Sequence, residues 1–219
     1  MVYTWFIDTN VLASWILVSS DILEKFTGKY GIPKEYHELY HKKFIGEISF
    51  IDTLLAESSE KLRERHEFLI PFLTTNELFS ALRDEIICLK LFAKGDPVSR
   101  WPGNKNSLSM DEEEFIIVFK TTLKQVDVLM EGGLEIIEDC SGKYTSFWDV
   151  FASLLLKTEN TKTQDVMLLT TAIMNEADFF VTRDERLITA LKAQLKERYS
   201  LEIMKPDTAR LKFNSLNKM

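Results

Sequence analysis

The chain is poor in several residues and patterns that often announce a function. Its only two cysteines, Cys88 and Cys140, lack metal-type spacing and are expected to be free thiols in a reducing cytoplasm. No run of eighteen or more apolar residues occurs, so no transmembrane helix is expected. The start, MVYTWFIDTN, has no basic leader, and Asp8 interrupts its apolar run; it does not read as a signal peptide. No internal repeat or low-complexity tract stands out. Positive charge is short as well. The net charge of −7 argues against a broad, salt-driven coating of nucleic acid.

What is present is ordinary for a globular chain. The 219 residues, 45% hydrophobic and 28% charged, are enough for a single domain with a sizeable core. VYTWFI reads as a buried strand ending at Asp8, with a helix across Val11 to Val18. Gly28, Gly31 and Pro33 punctuate a loop with a short helix, and Pro33 opens a helix through Lys43. After Gly46, the apolar residues Ile48, Ile51, Leu55, Leu62 and Leu69 recur at helical spacing. EFLIPFLT is a second strand. Thr74 and Glu77 then have the form of a capping box for a helix to about Phe92. The stretch AKGDPVSRWPGNKNSLS reads as loop, and Ser109 with Glu112 as the cap of a helix ending near Gly132 and Gly133. LEIIED is a third strand, and SFWDVFASLLLKT is helical, with Trp148 and Phe151 assigned to the core. Thr163 caps a helix carrying Asp165 in its first turn, ADFFVT is a fourth strand, and Asp184 begins another helix. LEIMK is a fifth strand stopped by Pro206, and the tail with Lys205, Arg210, Lys212 and Lys218 reads as a solvated terminus.

Strands alternating with helices imply an α/β fold: a doubly wound, mainly parallel sheet of four to five strands with helices on both faces. Ligands of such sheets bind beyond the carboxyl ends of the strands. Four acids sit at breaks in the apolar pattern that point to this edge: Asp8, Glu77, Asp165 and Asp184. Each has a purely structural reading too. Asp8 could cap the next helix, Glu77 could serve the capping box, Asp165 could favour the helix dipole, and Asp184 could be a turn residue. Capping alone does not require four acids on one edge.

The segments FIDTNVL, TTNEL, QDVMLLTTA and VTRDERL resemble, in order, the four motifs of PIN-domain nucleases, the superfamily that includes VapC-type toxins. The resemblance implies a metal-dependent ribonuclease in which Asp8, Glu77, Asp165 and Asp184 are the acidic metal ligands. It makes Asn10 and Thr182 the polar neighbours that orient them. It also implies a single domain over residues 1–219, and the intervals between motifs are longer than in compact toxins, so helical insertions are expected at about 19–66 and 93–131. A homodimer and an antitoxin-type protein partner are compatible with it, and a non-catalytic RNA-binding or assembly module is the alternative within the same fold.

The chemistry agrees with the residue types. Carboxylates are hard oxygen ligands suited to Mg²⁺ or Mn²⁺. Without a cation, clustered carboxylates raise one another's pKa; with one, a bound water becomes a nucleophile. In-line attack of that water on an RNA phosphodiester would leave a 5′-phosphate and a 3′-hydroxyl and needs no imidazole nucleophile, which suits a chain with three histidines. Single-stranded or structured RNA would be the substrate. Arg183, beside Asp184, and the loop residues Arg100, Trp101 and Lys105 are candidates to grip it by charge and stacking. A competing motif is His37-Glu38-Leu39-Tyr40-His41, the H-E-x-x-H signature of zinc proteases. Its flanks, Glu35, Lys42 and Lys43, suit a solvated amphipathic helix instead, and Glu57 or Glu60 as a third ligand lies in no convincing motif.

Overall fold

The computed structural model describes residues 2–56, 64–138, 140–142, 145–157 and 162–218. Five parallel strands form one sheet: β1 (Tyr3–Ile7), β2 (His66–Pro71), β3 (Leu134–Ile137), β4 (Phe179–Val181) and β5 (Glu202–Met204), in the order β3-β2-β1-β4-β5. The strands are near-continuous apolar runs because both faces of the sheet are covered. Alternate residues serve opposite faces. Trp5, Ile7, Phe68, Ile70, Phe179 and Val181 enter one apolar cluster, and Phe6, Leu69, Phe180 and Ile203 enter the other.

The first face is covered by α1 (Thr9–Ser19), α4 (Ile45–Ala56), α5 (Phe72–Ala93) and α10 (Pro206–Leu216). α2 (Ile22–Lys29) and α3 (Glu35–Lys43) extend the same layer: Ile22, Phe26, Tyr40 and Phe44 are buried in its cluster. α6 (Glu112–Glu131) packs on α5. The second face is covered by α7 (Phe147–Leu155), α8 (Thr163–Met174) and α9 (Glu185–Tyr199), through Leu154, Leu169, Leu187 and Leu191. Helices on both faces of a parallel sheet, as expected from the alternation, are therefore observed. Among the described residues no helix is long and apolar enough to cross a membrane.

Several local expectations are corrected. Gly46 does not precede its helix but lies inside α4, which begins at Ile45 and is described only to Ala56, and Leu69 belongs to β2; Leu62, Glu57 and Glu60 lie outside the described residues. α5 begins at Phe72, directly after Pro71, so Thr74 is already inside the helix. Its hydroxyl is buried with no hydrogen-bond partner among the described residues, and it makes no capping box with Glu77. The capping box of α6 is formed by Asp111 and Glu114, not by Ser109 and Glu112: each side chain accepts the other's backbone N–H. Thr163 is the first residue of α8, whose N-cap Lys162 makes no side-chain cap bond.

The loop after α5 contains short helical turns over Val98–Arg100, Trp101–Asn104 and Lys105–Ser107. Trp148 is 54% exposed and lies outside the core, whereas Phe151 is partly buried against the second cluster. The C-terminal segment is not a solvated tail. Pro206, whose missing N–H is harmless in a first turn, opens α10, which buries Ala209 and Phe213.

Candidate functional site

In the strand order, successive strands run outward from β1 in one direction and from β4 in the other. The reversal falls between β1 and β4, and in open parallel sheets the ligand crevice lies at that point, beyond the carboxyl ends. Asp8 follows Ile7 at the end of β1, and Asp184 follows the end of β4, which pairs Val181 with Ile7. The Asp8 N–H donates to the Val181 carbonyl at 3.0 Å.

Asp8 is 5% exposed. Its Oδ2 accepts hydrogen bonds from Asn10 Nδ2 at 2.6 Å and Thr182 Oγ1 at 2.5 Å. Asn10 Oδ1 accepts the Arg183 N–H, and Thr182 Oγ1 accepts the Asp184 N–H. These bonds lock the turn after β4 to the start of α1 and fix the carboxylate between them. Asn10 and Thr182 thus contact Asp8 directly, at the positions the sequence indicates. Burial pushes the Asp8 carboxyl up from 3.8 to about 7; the negative charges of Asp165 and Glu77 add to the rise, against the hydrogen bonds from Thr182 and the Thr9 backbone.

Glu77 lies in the second turn of α5, where its Oε2 accepts a hydrogen bond from Thr9 Oγ1 at 2.8 Å. Asp165 is partly buried in the first turn of α8. Its carboxyl is raised by burial and by Asp184 and Glu77, with Lys162 opposing. Asp184 is the N-cap of α9: one oxygen accepts the Arg186 and Leu187 N–H groups at 2.8 and 3.1 Å. Its structural reading therefore holds together with its place at the sheet edge.

All four acids line one cleft of about 490 Å³. Thr9, Asn76, Lys162, Gln164 and Asp84 line it too. Thr9 sits inside the DTN segment, and Asp84 follows Glu77 by seven residues on the same helix, a spacing that returns to the same face. These were the signals that could have found them. Lys162 carries no sequence signal beyond its place before α8. Among the described residues, no group of three or more His, Cys, Asp or Glu stands close enough together to hold a metal ion. Chemically the donor set is all oxygen and anionic, which fits a hard divalent cation. Geometrically, the carboxylates share a cleft without forming a ready-made three-donor cage.

The other candidates are distributed differently. Arg183 turns away from the acids: its Nε pairs with the buried Glu47 at 2.8 Å, its Nη1 donates to Ser14 Oγ at 2.6 Å, and its guanidinium covers the Phe44 ring at 4.5 Å. Trp101 Nε1 donates to the Asp96 carbonyl within the loop, next to Arg100. Lys105 reaches Asp84 at 3.8 Å. On α3, His37 Nε2 hydrogen-bonds Thr27 Oγ1, a contact that stitches α3 to α2; His41 and Glu38 share that short helix.

Comparison of the chain with protein-family models, with curated proteins and with solved structures finds no match.

Proposed function

We propose that this chain is a metal-dependent endoribonuclease of the PIN type, with Asp8, Glu77, Asp165 and Asp184 as its acidic centre. One observation carries the reading: Asp8 is buried in a cleft it shares with three other carboxylates, at the point where strand order reverses, with hydroxyl and amide partners but no cation paired to it among the described residues. A buried carboxylate with like-charged neighbours is unfavourable as a bare anion: it takes up a proton, as the raised pKa of Asp8 reflects, or exchanges that proton for a bound cation. Mg²⁺ or Mn²⁺ suits the donor set. Mg²⁺ keeps several of its waters and is held directly by one or two carboxylates, so acids that share a cleft without converging are compatible with it. When bound, the ion would polarise a phosphoryl oxygen and lower the pKa of a coordinated water. The chain's own residues do the rest. Asn10 and Thr182 hold Asp8 in one orientation, Thr9 holds Glu77, and the α9 amides hold Asp184. Lys162, at the cleft wall, offers a positive charge to a phosphate.

The test is cleavage of single-stranded RNA with Mn²⁺. Asp8→Asn should lower the rate by about 10³-fold or more, several kcal/mol of transition-state stabilisation. Full activity in purified Asp8→Asn or Asp184→Asn protein overturns the assignment. The absence of a converged three-donor group among the described residues favours a second reading, a non-catalytic RNA-binding or assembly module. Calorimetry with Mn²⁺ separates them: neither binding nor cleavage by the wild type marks the module.

A further inference from the structure

The acid cleft does not end at the acids. Its wall residue Asp84 also lines a neighbouring cavity of about 630 Å³ that carries Arg83 and Lys105. Its wall residue Ser80 also lines a third cavity, of about 320 Å³, floored by Phe79, Phe115 and Phe119. Arg83 and Phe115 border both of these cavities. The three spaces follow one another along α5. Arg83 lies six residues past Glu77, about 9 Å along the helix axis at 1.5 Å per residue.

The chemistry changes along that path. Asp84 pairs with Arg83 at 3.2 Å and Lys105 at 3.8 Å, so it gathers two cations at one end of the acid cleft. Beside them Phe115 and Phe119 are stacked, 6.0 Å apart with their planes 12° from parallel, and are 52% and 41% exposed. Phe79 packs beneath both, at 5.8 and 5.0 Å. Exposed ring faces next to paired cations are the elements of a single-strand platform: charge for the phosphate, a π-face for the base. Asp111 and Glu112 line the same cavity, so with Asp84 its acids outnumber its bases, and its anion-attracting part is confined to the immediate surroundings of Arg83 and Lys105. Asp111 is itself engaged by Lys29 and by the capping box of α6.

We propose that an RNA strand leaving the acid cleft runs along α5, with Arg83 and Lys105 on a phosphate and Phe115 and Phe119 under the adjoining base. The inference rests on the ribonuclease reading for its choice of ligand. It assigns the basic grip to Arg83 and Lys105, with α6 supplying the rings.

The test is fluorescence anisotropy of a short labelled oligouridylate in EDTA, which needs no catalysis. The double variant Arg83→Ser/Lys105→Ser should bind about tenfold more weakly, with a log–log salt dependence shallower by about 0.7, the value for one phosphate no longer neutralised on a single strand. Phe115→Ala/Phe119→Ala should also weaken binding about tenfold, with the salt dependence unchanged. Asp84→Asn should tighten binding by releasing both cations, a gain that misfolding cannot produce. Wild-type affinity in all three variants, or no binding by the wild type, overturns the inference. RNA binding that responds to these variants without cleavage would instead leave the platform standing and remove the nuclease assignment. Cleavage with unresponsive binding would do the reverse.

Discussion

Asp8 and Glu114 are both buried carboxylates, 5% and 1% exposed, and the fold treats them in opposite ways. Glu114, in the first turn of α6, is saturated with donors. Tyr30 Oη donates to it at 2.7 Å and the Asp111 N–H at 2.9 Å; Lys90 Nζ hydrogen-bonds it, and Lys29 Nζ stands 3.2 Å away. Burial raises its pKa, but Lys90, Tyr30, the Asp111 amide and Lys29 together outweigh burial and hold the carboxyl below its ordinary 4.5. Asp8 has an amide and a hydroxyl in place of ammonium groups, and other acids as its electrostatic neighbours. One carboxylate is finished by the protein itself and ties α2, α5 and α6 together. The other has no ammonium or guanidinium partner among the described residues, and its pKa is raised instead of lowered.

The sharpest way to break this comparison is to remove the finished carboxylate. Glu114→Ala leaves Lys90, whose side chain is 16% exposed, and the Tyr30 hydroxyl without their shared partner. The expected loss is about 3 kcal/mol or more, read as the midpoint of urea unfolding. Next comes the cation. Mn²⁺ at a hundred times its dissociation constant should stabilise the wild type by about 2.7 kcal/mol and raise its Tm, while Asp8→Asn should show little of the shift. A Tm indifferent to Mn²⁺ and Mg²⁺ would deny Asp8 its distinction from Glu114.

In metal-free buffer near pH 8, Asp8→Asn should itself stabilise the fold, by about 2 kcal/mol, because it removes a buried charge among like charges. The pH dependence gives the sign. The folded-state pKa of Asp8, about 7, lies above the ordinary 3.8, so the folded chain holds a proton that the unfolded chain releases. That contribution is full below about pH 4 and is lost as the pH rises through 7, so the advantage of Asp8→Asn should vanish in acid. Glu114 runs the other way: its contribution is present above its ordinary 4.5 and disappears as the pH falls through its lower folded value. Parallel pH profiles for wild type and Asp8→Asn would contradict the assignment. The smallest effect belongs to Asp184, whose cap of α9 is an ordinary one. Asp184→Ala should cost about 1 kcal/mol in thermal unfolding, and Asp184→Asn, which retains a capping oxygen, less.

Much of the site was legible because its residues sit at transitions that local chemistry dictates. The strand-to-helix turns at Asp8 and Asp184 are marked by apolar runs of strand length followed by helix-capping residues, and Asn10 and Thr182 stand beside them in sequence. Glu77 does line the cleft, but not for the reason its neighbours suggest. The TTNE segment imitates a capping box, but Pro71 ends β2 so abruptly that α5 starts at Phe72, and the carboxylate is held by Thr9 instead. Arg183 could not be placed from its neighbours, since its direction depends on Glu47, Ser14 and Phe44, all far away in sequence. The apolar content of α7 concealed which ring stays outside: Trp148 does, and Phe151 does not entirely. The basic residues of the last segment masked a helix whose Ala209 and Phe213 complete the core beneath β1.

The amino-acid order by itself determined the alternation of strands and helices and the set of acids at their ends, because apolar period and turn chemistry act over a few residues. Only the tertiary structure decided that β1 and β4 are neighbours, and with that which groups meet. The bonds of Asp8 to Thr182 and of Arg183 to Asn10 span more than 170 positions. No local preference encodes such contacts; they exist because burying both faces of one sheet brings those two strand ends together.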